Sequence, residues 1–269
     1  MGTYLDTIVA AHRAAAEADD RSLDELLAAA AACPPTRGFA ESLRRGSTLR
    51  VIAEIKRRSP SKGDLNPGLE PAQVASAYER GGAACLSVLT DAEFFGGSVG
   101  DLQAARSACA IPVLRKDFTI DARDIADARL MGADAVLLIV AALEDAELRA
   151  FLAIAGELAI DALVEVHDER ELDRAADAGA SIIGVNQRDL TTFEIDRELA
   201  AKLAPRMPDG AVTVAESGIR GVDDASAVAA AGFRAVLVGE SVVTSGDPTA
   251  AVAALAQVVR WCPGDGGSP

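Results

Sequence analysis

The sequence is poor in aromatic side chains, in histidine and in cysteine. Aromatic residues make up 4% of the 269 positions, and the chain has two histidines and four cysteines. The cysteines are scattered without the Cys-x-x-Cys spacing of zinc and redox motifs, so neither a disulfide framework nor a His/Cys metal centre is indicated. Because 50% of the residues are hydrophobic, the chain can bury a large core, and that core must be mainly aliphatic.

Positive charge and long apolar runs are also scarce. Lysine and arginine number 26 against 41 aspartates and glutamates, which leaves a net charge of -15. Such a charge opposes binding to nucleic acid or to an anionic membrane surface. Apolar stretches such as residues 135–143 are too short to cross a bilayer, and the first residues lack an apolar run of signal-peptide length. We therefore expect a soluble, cytoplasmic protein with no nucleic-acid or membrane partner, in which a phosphorylated ligand would need a local basic pocket.

The sequence does contain a repeated alternation of short apolar runs and amphipathic helical stretches. The runs are almost continuously apolar, as expected of parallel strands that are buried on both faces. They lie at residues 51–55, 85–89, 112–114, 135–140, 162–166, 182–185, 212–215 and 235–238. Eight strand-helix units predict an α/β fold of the (βα)8 or TIM-barrel class, which typically takes ~250 residues.

Glycine pairs separate several of these units. A Gly-Ala or Gly-Phe pair precedes four of the runs, where the glycine can end the preceding helix in a left-handed conformation. The four glycines are Gly82, Gly132, Gly179 and Gly232. The repetition indicates one architecture throughout the barrel.

Two further segments flank the predicted barrel. Residues 1–48 show helical periodicity with a polar break at residues 19–22, so we predict an N-terminal helical extension. We assign residues 49–260 to the barrel itself. Residues 261–269 lack core-forming side chains, and we expect them to form a flexible tail.

Polar side chains follow the apolar part of five of the eight runs. The residues are Glu54, Lys56, Lys116, Glu165, Asn186 and Glu216. In barrels of this class the C-terminal ends of the strands build the active site. Each charge could simply be solvated where its strand emerges. Two lysines that face three glutamates in one mouth would, however, keep one another ionised and could exchange protons, so the pattern favours a shared acid-base site.

Two loops could hold a phosphate group. Ser217 and Gly218 follow the seventh run, and Gly239 and Glu240 follow the eighth, where such barrels often bind phosphate. Glycine permits close backbone approach, and a short helix that starts near Glu240 would direct N–H groups at an anion. The same glycines could merely allow tight turns. The basic segment 56–63 is open to two interpretations as well, either a solvated loop or a lid that steers an anion.

Seven motifs can be read along the barrel. They are Ala-Glu-Ile-Lys-Arg-Arg-Ser-Pro-Ser-Lys-Gly at 53–63, Ser-Val-Leu-Thr-Asp at 87–91 with Phe-Gly-Gly-Ser at 95–98, Leu-Arg-Lys-Asp-Phe at 114–118, Leu-Val-Glu-Val-His at 163–167, Gly-Val-Asn-Gln-Arg-Asp-Leu at 184–190, Ala-Glu-Ser-Gly-Ile at 215–219 and Leu-Val-Gly-Glu-Ser at 237–241. Together they resemble the indole-3-glycerol phosphate synthase family from about residue 51 to about residue 255, whereas residues 1–48 match only loosely.

The resemblance implies an activity and a set of catalytic roles. The reaction would close 1-(o-carboxyphenylamino)-1-deoxyribulose 5-phosphate into indole-3-glycerol phosphate with loss of carbon dioxide and water, in tryptophan biosynthesis. No cofactor and no metal are implied. Lys116 would be the general acid that protonates the ketone, and Glu165 the base of the dehydration. The residues that would orient, balance charge or relay protons are Glu54, Lys56, Asn186 and Glu216.

The resemblance also implies how a small phosphorylated substrate is held. Phosphate would be bound, chiefly through backbone groups, by Ser217, Gly218, Gly239 and Glu240. The aromatic ring and its surroundings would contact Ser59, Pro60, Phe95, Phe118, Leu137, Ile139, Leu163, Arg188 and Leu190, with Pro60 closing over the ring. In the absence of an obvious exposed apolar stripe, a monomer is the default expectation.

Three other functions are compatible with parts of the pattern. A phosphoribosylanthranilate-type isomerase would also grip phosphate with late-strand loops, but it would need a Cys or Asp base where the first strand ends in Glu54 and Lys56. An aldolase could use Lys116 in a Schiff base. A catalytically idle barrel that serves as a binding subunit is disfavoured by the intact charges at five strand ends.

Overall fold

Eight parallel strands form the centre of the structure, a computed structural model that describes residues 3–59, 63–66, 68–189 and 191–260. The strands are β1 (Arg50–Ile55), β2 (Cys85–Leu89), β3 (Val113–Lys116), β4 (Ala135–Ile139), β5 (Asp161–Val166), β6 (Ile182–Asn186), β7 (Val212–Glu216) and β8 (Ala235–Val238). They follow one another around a closed barrel in chain order, and β8 pairs with β1 to complete it. The predicted TIM-barrel class is thereby confirmed.

All eight predicted apolar runs are barrel strands. Nearly every strand residue is buried, because one face fills the lumen and the other packs under the helices. The strand β3 extends to Lys116, beyond the predicted end of its apolar run. Because every strand is parallel to its neighbours, the polar residues that end β1, β3, β5, β6 and β7 all emerge at the same end of the barrel.

Helices cover the barrel and precede it. They are α1 (Tyr4–Glu17), α2 (Leu23–Ala31), α3 (Phe39–Arg44), α4 (Pro71–Arg80), α5 (Val99–Ser107), α6 (Ala122–Met131), α7 (Asp145–Glu157), α8 (Glu169–Asp177), α9 (Leu199–Leu203), α10 (Val222–Ala230), α11 (Glu240–Val243) and α12 (Pro248–Ala256). Single 3-10 turns lie at Val140–Ala142 and Ala204–Arg206, and Arg58–Ser59 pairs with Gly63–Asp64 in a short antiparallel ribbon. In the ranges that the structure describes, none of these helices has both the length and the apolarity to cross a membrane.

The glycines before four strands have the backbone conformation that the sequence predicts. Their φ angles are +88° at Gly82, +92° at Gly132, +83° at Gly179 and +97° at Gly232. This left-handed region is open to glycine without steric cost, so each glycine can end a helix and turn the chain into the next strand.

The N-terminal segment forms three helices with different positions on the barrel. Helix α1 starts with a capping box between Thr3 and Asp6, and it is tied to the barrel by Arg13, whose Nη1 lies 2.9 Å from Glu147 Oε1. Helix α3 lies at the opposite end of the barrel, where Phe39 is fully buried and its carbonyl contacts Cys85 Sγ at the start of β2. The division into extension, barrel and tail stays a prediction, and residues 261–269 lie outside the described residues.

Candidate active site

A cavity of about 530 Å³ opens at the C-terminal end of the barrel. Its walls are the ends of the strands, the loops that follow them and one side of α1. The cavity is lined by most of the site residues predicted from the sequence, namely Glu54, Lys56, Ser59, Phe95, Lys116, Phe118, Leu137, Ile139, Glu165, Asn186, Arg188, Glu216, Ser217, Gly218, Gly239 and Glu240. The strand-end charges therefore converge on one space.

Three predicted contacts with the aromatic ring are not among the lining residues. Leu163 lies on the inward side of β5 two residues before Glu165, so it is one layer deeper in the barrel; it is fully buried and does not line the cavity. Direct contact of Leu163 with the ring stays a prediction. Pro60 and Leu190, which were also expected to enclose the ring, lie outside the described residues.

Two ion pairs form the polar centre of the cavity. Lys116 Nζ lies 3.0 Å from Glu165 Oε2 and 3.9 Å from Glu216 Oε2. Lys56 Nζ lies 2.5 Å from Glu54 Oε1 on the same strand, as the alternation of side chains predicts. All five side chains are largely buried, so each charge depends on its partner instead of on water.

A short chain of hydrogen bonds orients Glu165. Asn186 Nδ2 donates to Glu165 Oε1 over 3.2 Å, and Ser217 Oγ donates to Asn186 Oδ1 over 2.7 Å. The backbone N–H of Arg188 also donates to Asn186 Oδ1, over 3.1 Å. Because Oδ1 is occupied by two donors, the amide group of Asn186 must turn its NH2 toward the carboxylate.

Burial disfavours the ionised form of every group in this cluster. For Lys116 and Glu165 the attraction between opposite charges is stronger than this effect. Burial lowers the pKa of Lys116, but the neighbouring carboxylates, Glu165 foremost, outweigh it and hold the pKa above its ordinary value. Burial likewise raises the pKa of Glu165, but the Lys116 ammonium outweighs it and holds the pKa below its ordinary value. Both groups are therefore ionised near neutral pH.

Glu216 has the opposite balance. Burial raises its pKa well above the ordinary value, the negative charge of Glu165 raises it further, and the more distant Lys116 offsets only part of this. Burial and the charge of Glu165 therefore both favour the protonated form of Glu216, next to an ionised pair. Two carboxyl groups whose pKa values are pushed apart in one cavity can serve different proton-transfer roles.

The loops after β7 and β8 meet at one side of the cavity. Ser217 and Gly218 have φ angles of +61° and +77°, and a Cβ on Gly218 would lie 2.9 Å from Ile195 Cγ2. At Gly239 a Cβ would collide with the Glu54 carboxylate. Both glycines are therefore required by a close approach.

Positive charge is concentrated at this side although the protein is acidic overall. The guanidinium-bearing residues that line the cavity there are Arg188, Arg197 and Arg220. Arg197 Nε donates to the carbonyl of Gly218 over 3.3 Å, which places it at the β7 loop. The expected local basic residues are present. Arg197 and Arg220 were not predicted: Arg197 lies in a loop outside the motifs, and Arg220, which directly follows the motif at 215–219, pairs with Asp224.

The side chains of the basic segment after β1 point in two directions. Lys56 and Ser59 line the cavity. Arg57 turns away from it and pairs with Asp101, whose Oδ1 lies 2.9 Å from Nη2. Residues 60–62 lie outside the described residues, so the two interpretations of this segment stay open.

Helix α1 contributes a wall that the sequence analysis left unassigned. Tyr4, Leu5 and Ile8 line the cavity together with Phe193 from the loop after β6. The Tyr4 and Phe193 rings meet edge to face with centroids 5.5 Å apart. The apolar face of α1 can be recognised from its periodicity, but its packing partner depends on tertiary structure.

Both histidines lie next to acidic residues that line the cavity. His12 lies on α1, its Nε2 is 3.0 Å from Asp91 Oδ2, and Asp91 lines the cavity. His167 lies 3.3 Å from Glu165 Oε1. A signal for His167 existed, because a residue two positions after Glu165 returns to the same side of the chain.

One group of side chains in the described residues has the spacing of cation ligands. His12, Asp91 and Asp117 have one potential ligand atom each within 4.8 Å of the others. Asp91 Oδ1 already accepts two backbone N–H groups, and Asp117 Oδ2 accepts from Thr90 Oγ1. The arrangement is accounted for as a hydrogen-bonded ion pair between α1 and the barrel.

A family model supports the same assignment as the motifs. The model described as "Indole-3-glycerol phosphate synthase" matches residues 5–255. The match begins within α1, so it includes the helical extension that the sequence analysis had described as only loosely similar.

Curated relatives match over most of their length. The chain is 54% identical over 235 residues to "Indole-3-glycerol phosphate synthase 2" of Streptomyces coelicolor, covering 87% of this chain and 91% of the relative. It is 52% identical over 255 residues to "Indole-3-glycerol phosphate synthase" of Mycobacterium avium, covering 94% and 93%.

Solved structures with low sequence identity share the fold. A thiamine phosphate pyrophosphorylase from Pyrococcus furiosus superposes with a TM-score of 0.59 at 18% identity, over 78% of this chain and 94% of that one. An N-acetylmannosamine-6-phosphate 2-epimerase from Clostridium perfringens gives a TM-score of 0.56 at 13% identity, over 71% and 86%. At these identities the likeness concerns the fold alone.

Proposed function

The chain belongs to the indole-3-glycerol phosphate synthase family, and on that premise we propose how its cavity performs the decarboxylating ring closure that forms indole-3-glycerol phosphate. The enzyme class is a carbon-carbon lyase, and the pathway is tryptophan biosynthesis. We assign a position to the substrate and a role to each buried charged side chain.

Ring closure needs a proton for the ketone oxygen of the substrate. The ring carbon that bears the carboxylate attacks the ketone carbon, and Lys116, which is held protonated, donates to the oxygen as the new carbon-carbon bond forms. Loss of carbon dioxide then restores the aromatic ring. General acid catalysis of this type contributes roughly a hundredfold to ten-thousandfold in rate.

Dehydration needs a base, and the acid must recover its proton. Glu165 is ionised and hydrogen-bonded, so it can accept a proton from C1 of the deoxyribulose part as the carbon-oxygen bond breaks and the carbon-carbon double bond forms. Glu216, whose pKa is raised, lies 3.9 Å from Lys116, so it can return a proton to the lysine, which then protonates the hydroxyl group that leaves as water. Lys56 and Glu54 balance the charge at the opposite wall.

The substrate's two ends fit the two chemically distinct sides of the cavity. The phosphate would lie against the loops of Ser217 and Gly239, where the lining arginines concentrate positive charge. The aromatic ring would lie against Phe95 and Phe118, whose centroids are 6.4 Å apart. An anchored phosphate and a shaped apolar wall hold the reacting carbons together, which is the main requirement of an intramolecular ring closure.

A Schiff-base aldolase fits the site less well. That mechanism needs a neutral amine, whereas the carboxylates around Lys116 hold its pKa above the ordinary value. The observation that supports the synthase most strongly is the position of the Lys116 ammonium, which lies between an ionised and a neutral carboxyl group.

The proposal also includes the oligomeric state and the cellular location of the enzyme. We propose that the enzyme acts as a monomer, because the large hydrophobic side chains that are exposed among the described residues, Val99, Leu130, Val222 and Val259, lie on four separate segments and not in one stripe. We also propose a cytoplasmic location, in keeping with a biosynthetic enzyme that binds a small phosphorylated substrate. Sedimentation analysis at several protein concentrations tests the first of these.

The activity can be measured through the fluorescence of the indole product. The purified protein should convert 1-(o-carboxyphenylamino)-1-deoxyribulose 5-phosphate, and Lys116→Met should lower turnover by at least about a hundredfold. Lys202→Met, which removes an exposed lysine on α9, should retain the wild-type rate. Wild-type turnover in Lys116→Met would contradict the assignment of the acid, and an inactive wild-type protein would contradict the proposed function.

A further inference from the structure

His167 links the catalytic cavity to the helix outside it. It follows β5 directly, and its side chain is 13% exposed. Nδ1 lies 3.0 Å from Glu171 Oε2 in the first turn of α8, while Nε2 lies 3.3 Å from Glu165 Oε1. His167 does not line the cavity, whereas Glu165 does. Any effect of the histidine on the reaction must therefore act through Glu165.

We propose that His167 is a positioning residue, an imidazolium that bridges Glu171 and Glu165 and keeps Glu165 ionised and aimed into the cavity. The inference rests on the proposed role of Glu165 as a base. It differs from the roles assigned above because His167 neither contacts the substrate nor transfers a proton.

The contacts of Glu165 are divided between its two oxygens. Oε2 faces Lys116, and Oε1 faces both Asn186 Nδ2 and His167 Nε2. Lys116 loses its positive charge when it donates its proton, which would remove the main cation beside a carboxylate that is only 1% exposed. An isolated buried carboxylate tends to take up a proton. A second, permanent cation next to Oε1 prevents Glu165 from taking up a proton too early, so that Glu165 is still ionised when it must accept the proton of the substrate.

The surrounding charges favour the protonated histidine. Glu165 on β5, Glu171 on α8 and Asp189 after β6 supply negative charge around it, and Lys116 lies on the far side of Glu165. Burial lowers the pKa of His167, but the two glutamates outweigh it and raise the pKa to about 10. The same pairing contributes to the lowered pKa of Glu165.

A direct measurement of the charge is possible because the chain has two histidines. In imidazole nitrogen NMR spectra of the full-length protein, His12→Asn removes one of the two signals and assigns the other. His167 should be doubly protonated at about pH 8, where an ordinary histidine is neutral. Glu171→Gln should lower its titration midpoint, whereas Asp173→Asn, on the same helix but in an exposed pair with Arg206, should leave it unchanged.

A kinetic measurement then tests the positioning role. Substituting Gln in His167→Gln keeps an amide donor but removes the charge, so the pKa of Glu165 should rise and the acid limb of kcat/KM should move to higher pH by about one unit or more. Activity at the alkaline plateau should change by less than about threefold. Asp173→Asn should reproduce the wild-type profile.

The outcomes separate the two proposals. A His167 that titrates near 6.5 in the wild-type protein would overturn the inference, and so would an unshifted acid limb in His167→Gln while the wild-type enzyme turns over. A wild-type protein without turnover would instead overturn the proposed function, and the positioning role with it. If His167→Gln does not fold, the wild-type titration still decides the matter.

Discussion

The Glu216 carboxyl group occupies the space that a Cβ on Gly184 would need. Glu216 Oε1 packs directly over the Cα of Gly184, and a Cβ there would also lie 3.2 Å from Leu163 Cδ1. The neutral carboxyl group can therefore approach Lys116 only because the neighbouring strand has no side chain at this point.

Replacing Gly184 with alanine should displace Glu216 and impair catalysis. We expect Gly184→Ala to lower turnover by about tenfold or more and to destabilise the fold by about 1–3 kcal/mol, because the added methyl group overpacks a closed layer. Turnover by fluorescence and unfolding in denaturant measure the two effects.

Gly156→Ala provides the matched control. Gly156 lies in α7 with open space around it, and alanine favours a helix over glycine by ~1 kcal/mol. This variant should keep its activity and should gain stability. A Gly184→Ala enzyme that equals it in turnover would show that the position of Glu216 is not needed.

Glu216→Gln should lower the activity and raise the stability of the folded protein. Since the folded protein raises the pKa of Glu216 above the unfolded value, the native state binds more protons and this group makes folding less favourable as pH rises above about 4.5. Glutamine does not ionise. The melting temperature of the variant relative to wild type should therefore increase between about pH 5 and pH 8. Its turnover should fall because Lys116 loses the group that returns its proton. A difference in melting temperature between variant and wild type that does not change with pH would contradict the raised pKa of Glu216.

Ser217 should influence the reaction through Asn186. Ser217→Ala removes the hydroxyl that donates to Asn186 Oδ1 and should lower turnover by about fivefold, equivalent to ~1 kcal/mol for one hydrogen bond. In a double-mutant cycle with Asn186→Ala the second substitution should add little. Fully additive losses would mean that Ser217 acts on the substrate independently.

His12 should hold α1 on the barrel in a pH-dependent manner. The hydrogen bond with Asp91 raises the pKa of His12 against the effect of burial, so its stabilisation is full below about 6.5 and is lost as pH rises through the folded value. The stability deficit of His12→Asn should thus shrink from about pH 6 to pH 9. Its KM should rise, since α1 carries Tyr4 and Ile8 into the cavity lining. A deficit independent of pH would indicate packing alone.

Sequence periodicity determined the strands because their environment is uniform. Every barrel strand is buried on both faces, so apolar runs such as those of β4 and β6 can be read without knowing their neighbours. The convergence of Lys116 and Glu165 also followed from the sequence, because parallel strands bring their C-terminal ends to one face of the barrel.

Tertiary structure decided those features of the site that depend on contacts between segments far apart in the sequence. The packing of α1 over the cavity, the arginines around the β7 loop and the depth of Leu163 in the barrel have no local signature, since each depends on where two distant parts of the chain meet. The sequence predicted that the clustered charges keep one another ionised, which agrees with the pKa shifts of Lys116 and Glu165 but not with the raised pKa of Glu216. The opposite pKa shifts of Glu216 and Glu165 depend on burial, on distances of 3.9 Å and 3.0 Å from the Lys116 ammonium group, and on His167 next to Glu165. Only the folded chain sets these.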